Sequence, residues 1–221
     1  MKILSVVDLS HSISEKTQIY PGDPAPKLSI HSTIERDGFN LLNVQMGSQT
    51  GTHVDAPYHF DEQRERIDEL PLTRFIGRGL LIDVRGLPAR TEITLAMIQT
   101  QIAKAKPGDI ALIHTGWSAY FGTDEYFNHP YLSAKACQRL LTAGVLVFGI
   151  DAINIDETPD ESHPGVGFPV HHLIAESAGV ISENLTNLAA IDFVDPVISL
   201  LPIKLQSADG APVRAVAMQV R

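Results

Sequence analysis

Cysteine is nearly absent from this sequence, since Cys137 is the only one among 221 residues. A single cysteine cannot form a disulfide within one chain, which excludes a disulfide-stapled scaffold and favours a reducing compartment, the cytoplasm. Long hydrophobic runs are also absent, because no stretch reaches the roughly 18 apolar residues of a membrane-spanning helix. The first residues show no secretory signal pattern. We therefore expect no membrane partner.

Basic residues are outnumbered by acidic ones. The 17 Lys and Arg against 26 Asp and Glu give a net charge of −9, and the basic residues are scattered along the chain. Nucleic acid is therefore a poor partner. With 44% hydrophobic and 19% charged residues the composition is that of a folded protein, and we expect residues 1–221 to form a single domain.

Apolar periodicity predicts a protein in which short strands and a few helices intermingle. Helices are predicted after the candidate caps Thr94 and Ser133, and a short one over residues 170–177. Strands are predicted at the short apolar runs 3–7, 41–46, 79–84, 110–113, 145–150, 180–182 and 213–220.

Two long segments, residues 10–29 and 154–169, fit neither a helix nor a strand period and are rich in Pro, Gly and Asp. Irregular segments of that length usually carry function or lie in an oligomer contact. The first also contains apolar side chains, such as Ile13 and Ile19, that an isolated loop cannot bury. We therefore expect an N-terminal arm that packs against another surface.

Histidine is enriched, with nine in the chain, and the densest group of potential ligands lies between Gln49 and His59. Gly51 and Pro57 argue against a helix through this group, so we expect an irregular loop that follows the strand at 41–46. Loops on rigid strands are common places for functional sites.

His53 and Asp55 are two positions apart, so in an extended segment both side chains point to the same side. A neutral imidazole and a carboxylate placed in this way suit Zn or Mn, and His59 can serve as a further ligand or as a base. The spacing leaves a second interpretation open, in which these histidines are ordinary loop residues.

Residues 51–59, Gly-Thr-His-Val-Asp-Ala-Pro-Tyr-His, resemble the signature His-x-Gly-Thr-His-x-Asp-x-Pro-x-His of the metal-dependent cyclase family. That family includes bacterial kynurenine formamidases, isatin hydrolases and trans-dienelactone hydrolase. Further motifs follow in the family's order along the chain: Val7–Ser10 with Tyr20–Asp23, Gly149–Asp151 and Glu183–Leu185. The resemblance implies an α/β fold with a mixed β-sheet core of the swivelling β/β/α type and a few flanking helices.

The resemblance also assigns site residues, position by position. His53 and Asp55 match two ligands of a first metal ion, and Asp55 would bridge to a second ion where two are bound. His171 matches a ligand of that second ion, Glu183 matches the acidic ligand contributed by the strand that follows, and His59 matches the residue regarded as the general acid/base. The predicted elements are consistent with this assignment of His171 and Glu183. A histidine on a short helix and a glutamate that leaves the next strand can converge on one point.

Gln49 departs from the signature, because it stands where the family has its first histidine. A neutral amide oxygen is a weak ligand for zinc, so this site should tolerate manganese or magnesium better, or Gln49 only hydrogen-bonds a water on the metal. Tyr20 stands where kynurenine formamidases typically have a tryptophan that faces the aromatic ring of the substrate. Tyrosine keeps a face that can stack, which makes Tyr20 a candidate substrate-binding residue.

The resemblance implies a hydrolase that uses a divalent metal, Zn or Mn, to cleave a small amide, imide or lactone. Two alternatives stay open: a kynurenine formamidase proper, and a family member that has lost catalysis and binds a metabolite. The resemblance further implies a homodimer or homotetramer in which the N-terminal arm reaches a neighbouring chain. Tyr20 would then lie near the metal of its own or of the adjacent chain.

The remaining histidines are expected outside the site. His114 and His163 are the strongest candidates to line the pocket in the group His11, His31, His114, His129 and His163. His172 is expected to be an exposed neighbour of His171. Cys137 lies within a predicted helix with no group nearby to ionise it, so we do not expect a nucleophilic thiol.

Overall fold

A large mixed β-sheet is the main feature of the computed structural model, which describes residues 2–221. The strands are β1 (Ile3–Asp8), β2 (Lys27–Ser32), β3 (Leu41–Gln45), β4 (His53–Asp55), β5 (Ile76–Asp83), β6 (Glu92–Ile93), β7 (Ile110–His114), β8 (Tyr131–Leu132), β9 (Val147–Ile150), β10 (Val180–Glu183), β11 (Val197–Ser199), β12 (Gly210–Pro212) and β13 (Val216–Val220). Within the described residues, nine of them form one sheet in the order β1-β13-β11-β5-β7-β9-β10-β4-β12. The four strands from β5 to β10 in this order run parallel, and the pairings outside them are antiparallel.

The helices of residues 2–221 are α1 (Ile34–Asp37), α2 (Leu95–Ile102), α3 (Ala134–Thr142) and α4 (Pro169–Glu176). Short 3-10 turns cover Pro57–His59, Leu72–Phe75, Trp117–Tyr120, Asp124–Asn128 and Leu188–Ala190. The three predicted helices are confirmed, and the Ser133 hydroxyl caps α3 by accepting a bond from the Ala136 N–H at 3.2 Å. In this part of the chain, no helix has the length and apolar character needed to span a membrane.

Side chains on the central parallel strands alternate between two apolar clusters, one on each face of the sheet. On β7, Ala111 and Ile113 join the cluster that contains the α2, α3 and α4 side chains, whereas Ile110 and Leu112 join the opposite one. Covering both faces requires strands that are apolar at every position, and β7 is buried throughout. The predicted α/β class, with a mixed sheet and few flanking helices, is confirmed.

The prediction of an irregular loop through residues 49–59 is wrong at its centre, because His53–Asp55 form β4 between β10 and β12. Gly51, with φ of +70°, and Pro57 limit this strand to three paired residues. A strand of three residues is too short for an alternating pattern to be read from sequence. The predicted extended geometry of His53 and Asp55 is nevertheless what the strand provides.

The predicted strand over 213–220 is interrupted: β12 ends at Pro212 and β13 begins at Val216. The irregular N-terminal segment ends at Lys27, where β2 begins and pairs with β3 in a separate two-stranded ribbon. β3 therefore lies outside the large sheet. Ile13 and Ile19 are half-buried within their own chain.

Helix α4 ends in a Schellman motif that connects it to β10. The Gly179 N–H donates to the Ile174 carbonyl at 2.8 Å, and the Ala178 N–H donates to the Ala175 carbonyl at 2.9 Å. Ala178 takes the left-handed conformation of this motif, with φ of +53°, a conformation that costs an L-residue with a Cβ roughly 1–2 kcal/mol. Glycine is the residue that adopts this conformation freely.

Replacing Ala178 with glycine should therefore raise the free energy of unfolding by about 1 kcal/mol, measured by urea denaturation. Ala103→Gly is the matched control, because Ala103 ends α2 with φ of −59° and gains nothing from the freedom of glycine. This control should lower the free energy of unfolding by about 0.5–1 kcal/mol. The same sign of change in both variants would contradict the assignment of backbone strain to Ala178.

Candidate metal centre and its pocket

Strands β4 and β10 place three potential ligands on one face of the sheet. His53 and Asp55 point to the same face because Val54, between them, packs into the opposite apolar cluster. Glu183 is the direct cross-strand partner of His53 in the antiparallel pairing, so the two side chains lie next to each other. The register of one strand pair therefore assembles most of the site.

The ligand atoms of this group are close to one another. His53, Asp55 and Glu183 each offer one atom, and these atoms lie within 4.8 Å of one another. The His53 Nε2 is 3.3 Å from the Asp55 Oδ1 and 3.8 Å from the Glu183 Oε2. The His171 Nε2, from α4, is 3.5 Å from the Glu183 Oε1 and 3.8 Å from the Asp55 Oδ2. Two imidazoles and two carboxylates thus converge on one point.

Each of these side chains is oriented by a further contact. The His53 Nδ1 donates to the Gly51 carbonyl at 2.8 Å, and the His171 Nδ1 donates to Asp156 at 2.8 Å. Both rings therefore present Nε2 to the cluster. Metal-binding histidines commonly have this arrangement, because a hydrogen bond from the other ring nitrogen fixes the orientation of the ring. Asp156 also accepts the N–H of His171 itself, so it holds the first turn of α4 in place.

Electrostatics in the cluster favour a cation. Burial lowers the pKa of His53, but the neighbouring Asp55 and Glu183 carboxylates outweigh it and raise the pKa to about 9. Burial raises the pKa of Glu183 to about 7. Protons on the imidazoles therefore neutralise the buried carboxylates when no ion is bound, and a divalent ion can replace those protons.

A buried carboxylate oxygen without a hydrogen-bond partner also indicates a metal site. The Asp55 Oδ1 is buried and has no hydrogen-bond partner in the described chain, which is costly for a carboxylate oxygen unless a cation faces it. Imidazole nitrogens with carboxylate oxygens form the donor set that Zn and Mn accept. The residues at this point therefore fit a divalent transition metal.

A second polar group lies beside the cluster and contains His59. The His59 Nδ1 is 2.9 Å from the Asp209 Oδ2, and the Gln49 Nε2 donates to the same oxygen at 2.8 Å. Burial lowers the pKa of His59, but the hydrogen bond to Asp209 and the charges of the nearby carboxylates together outweigh it and leave the pKa raised. The same bond holds the pKa of Asp209 far below its ordinary value. The Gln49 Oε1 is buried without a hydrogen-bond partner among the described residues.

The cluster and the His59 group line one cavity of about 230 Å³. Phe60 and Phe168 form part of its wall: their rings are 5.4 Å apart, and Phe60 lies 4.4 Å from the His171 ring. Tyr20 lines the cavity of its own chain, where burial and then the charge of Glu183 raise its pKa. The cavity can hold a small molecule that has an aromatic part.

The structure brings all of the sequence-predicted site residues to this cavity, whose lining includes His53, Asp55, His171, Glu183, Gln49, His59 and Tyr20. Its lining, drawn from residues 2–221, contains none of His11, His31, His114, His129 and His163. His172 is exposed, as predicted, and Cys137 is a buried thiol whose pKa is raised by burial.

The residues at this site that sequence reasoning missed include Asp156, Asp209, Phe60 and Phe168. Asp156 and Phe168 lie in the irregular segment 154–169, whose length and composition indicate a functional segment but not which of its residues act. Phe60 directly follows the signature. Asp209 precedes a glycine in a sequence typical of a turn, so nothing local indicates its contact with His59.

Comparisons with known proteins agree with this geometry. A family model described as "Putative cyclase" matches residues 7–157. A kynurenine formamidase of Bacillus cytotoxicus is 27% identical over 219 residues, which cover 98% of each chain.

Solved structures also match over nearly the whole chain. Isatin hydrolase A from Ralstonia solanacearum superposes with a TM-score of 0.88 at 23% identity, covering 98% of this chain and 92% of that one. A potential metal-dependent hydrolase with cyclase activity superposes with a TM-score of 0.77 at 25% identity, covering 98% of each chain. The similarity of fold spans nearly the whole chain. This chain belongs to the cyclase family.

Proposed function

We propose that this chain is a metal-dependent hydrolase that cleaves a small amide, imide or lactone. The observation that carries the proposal is the buried group of two imidazoles and two carboxylates at the base of a cavity with aromatic walls. A relative of the chain is a kynurenine formamidase, and a structural neighbour is an isatin hydrolase. An aromatic amide or cyclic imide would fit the Phe60 and Phe168 wall.

The metal would be held by His53, Asp55, His171 and Glu183, and we propose Zn or Mn. A divalent ion bound there activates water and polarises the carbonyl oxygen of the substrate. Gln49 is a further candidate ligand through Oε1, because its Nε2 already donates to Asp209. Since a weak amide oxygen would replace an imidazole there, manganese becomes a better fit than in relatives with the full signature.

The protein's own residues would orient the substrate and move the proton. His59 lines the cavity and its Nδ1 donates to Asp209, so its Nε2 is the ring nitrogen free to take a proton and return it to the leaving group. Tyr20 and the two phenylalanines would hold the ring of the substrate. Retention of His59 with Asp55 and Glu183 disfavours the alternative of a metabolite-binding protein without catalysis.

The first prediction concerns the metal. Asp156→Asn should lower the affinity for Zn or Mn by about 10- to 100-fold, because the second contact that orients His171 is weakened. The measurement is a competition titration with a chelator. Asp192→Asn is the control, since Asp192 is exposed and does not line the pocket. Equal affinities for the two variants would show that Asp156 does not support a metal ligand.

The second prediction concerns catalysis. With Zn or Mn added, the protein should hydrolyse at least one of N-formylkynurenine, isatin and a set of aryl lactones. His59→Ala should keep the metal and the fold but lower kcat by roughly two to four orders of magnitude, as expected for loss of a general acid/base. Binding of these compounds without turnover would instead support the metabolite-binding alternative, and loss of metal in His59→Ala would make His59 a ligand.

We also propose that the chain forms a homodimer or homotetramer, in the cytoplasm. The β2–β3 ribbon supports this, because its cross-strand pairs Leu28–Val44 and Ile30–Leu42 share one face and Ile30 is 72% exposed. An exposed apolar face of this kind commonly marks a site of contact with another protein chain. The opposite face of the ribbon carries Ser29 paired with Asn43.

The third prediction tests this contact. Ile30→Asp should shift the protein towards the monomer in light scattering, because a charge on the apolar face has to be desolvated on assembly. Ser29→Asp places the same charge on the polar face and should leave the assembly unchanged. A wild-type protein that scatters as a monomer would refute the proposal directly.

A further inference from the structure

Asp209 is the carboxylate that, among residues 2–221, makes contact with His59, and it is not part of the metal cluster. It directly precedes β12, and its carbonyl accepts the Ala56 N–H at 2.8 Å. The next residue, Gly210, pairs with Asp55 on β4. A Cβ at Gly210 would lie 2.5 Å from the Val54 carbonyl, so only glycine permits this close approach. The backbone thus fixes Asp209 beside the ligand strand.

Three donors share the carboxylate of Asp209. The Ser48 hydroxyl donates to Oδ1 at 2.7 Å, and Gln49 and His59 donate to Oδ2 at 2.8 and 2.9 Å. Two of the donors precede β4 and the third follows it, so the carboxylate connects both ends of the segment that carries the signature. Since both oxygens are used as acceptors, Asp209 is satisfied only as an anion.

An ionised carboxylate can only accept, so the Nδ1 of His59 carries the hydrogen in this contact. A neutral imidazole has one N–H, and the hydrogen at Nδ1 leaves Nε2 with a free lone pair. We propose that Asp209 is the positioning residue of His59: it fixes the Nδ1–H tautomer, so that Nε2 is the nitrogen available to the substrate. This inference rests on the proposed hydrolase function, in which His59 exchanges a proton.

Gln49 belongs to the same arrangement. Its amide nitrogen is a donor that cannot titrate near neutral pH, so it holds the Asp209 carboxylate in place without competing for a proton. Gln49, which stands where the signature has its first histidine, therefore supports Asp209 in this chain. The alternative is a purely structural role, in which Asp209 only joins β12 to the β4 segment. In that case the tautomer of His59 would not depend on Asp209.

Asp209→Asn separates the two roles. Asparagine is nearly isosteric but uncharged, so it removes the negative charge that favours the hydrogen on the His59 Nδ1, and its amide group can donate where the carboxylate only accepts. The ring nitrogen signals of His59 are recorded by ¹⁵N NMR on the metal-free protein and identified by their absence in His59→Ala. We expect the Nδ1–H pattern in the wild type and its loss in Asp209→Asn.

In the metal-loaded protein, Asp209→Asn should lower kcat by roughly 10²- to 10⁴-fold with KM changed by less than about threefold, by analogy with asparagine in place of the orienting aspartate of a serine-protease triad. Asp61→Asn is the matched control, because Asp61 makes its contacts with Gln63 and Arg64 and not with the pocket. It should match the wild type in both measurements.

An unchanged His59 tautomer in a folded Asp209→Asn, or a kcat within twofold of the wild type, overturns the proposal. If Asp209→Asn does not fold, Asp209→Glu replaces it, because it keeps the charge: retention of the Nδ1–H pattern supports the proposal and its loss overturns it. A wild type that hydrolyses none of the test compounds refutes the proposed function, whereas the NMR comparison still decides whether Asp209 sets the tautomer.

Discussion

The burial of ionisable groups at one point of the sheet is the constraint on which the surrounding structure depends. Four of them, His53, Asp55, His171 and Glu183, are each at most 6% exposed. Moving such groups out of water costs several kcal/mol apiece unless partners replace the lost hydration. Backbone groups supply some of these partners: the Gly51 carbonyl, two residues before His53, orients the His53 ring, and the Ile155 N–H donates to Glu183 at 2.8 Å.

The irregular segment 154–169 takes its course from the same constraint. Its start donates a backbone N–H to a ligand carboxylate, its Asp156 receives the first turn of α4, and its end supplies the Phe168 wall of the cavity. The segment is therefore long because it has to make contact with the sheet, a helix and the pocket in turn. Its backbone is irregular because it makes contact with three different surfaces, and none of these contacts requires a repeating backbone conformation.

Local sequence patterns predicted those helices and strands whose formation depends on residues close together in the sequence. Helix α3 could be predicted because a capping serine and an apolar stripe lie within ten residues of each other, and β7 because residues 110–113 are all apolar. β4 could not be predicted, since three residues carry no period, although the resemblance identified its side chains. Asp209 could not be predicted either: it is 150 positions from His59, and only the pairing of β12 with β4 brings them together.

The pairing of β1 with β13 has a consequence for how the chain reaches this fold. The strand nearest the N-terminus finds its partner only in residues 216–220, so this edge of the sheet has no partner while the chain is being synthesised. Ile3, Leu4 and Val6 on β1 remain exposed even after pairing, and before it they are a free apolar edge that neighbouring nascent chains can join. Pairing over such a separation is slow. The interval between the synthesis of β1 and that of β13 therefore makes β1 a strand at which unfinished chains can aggregate.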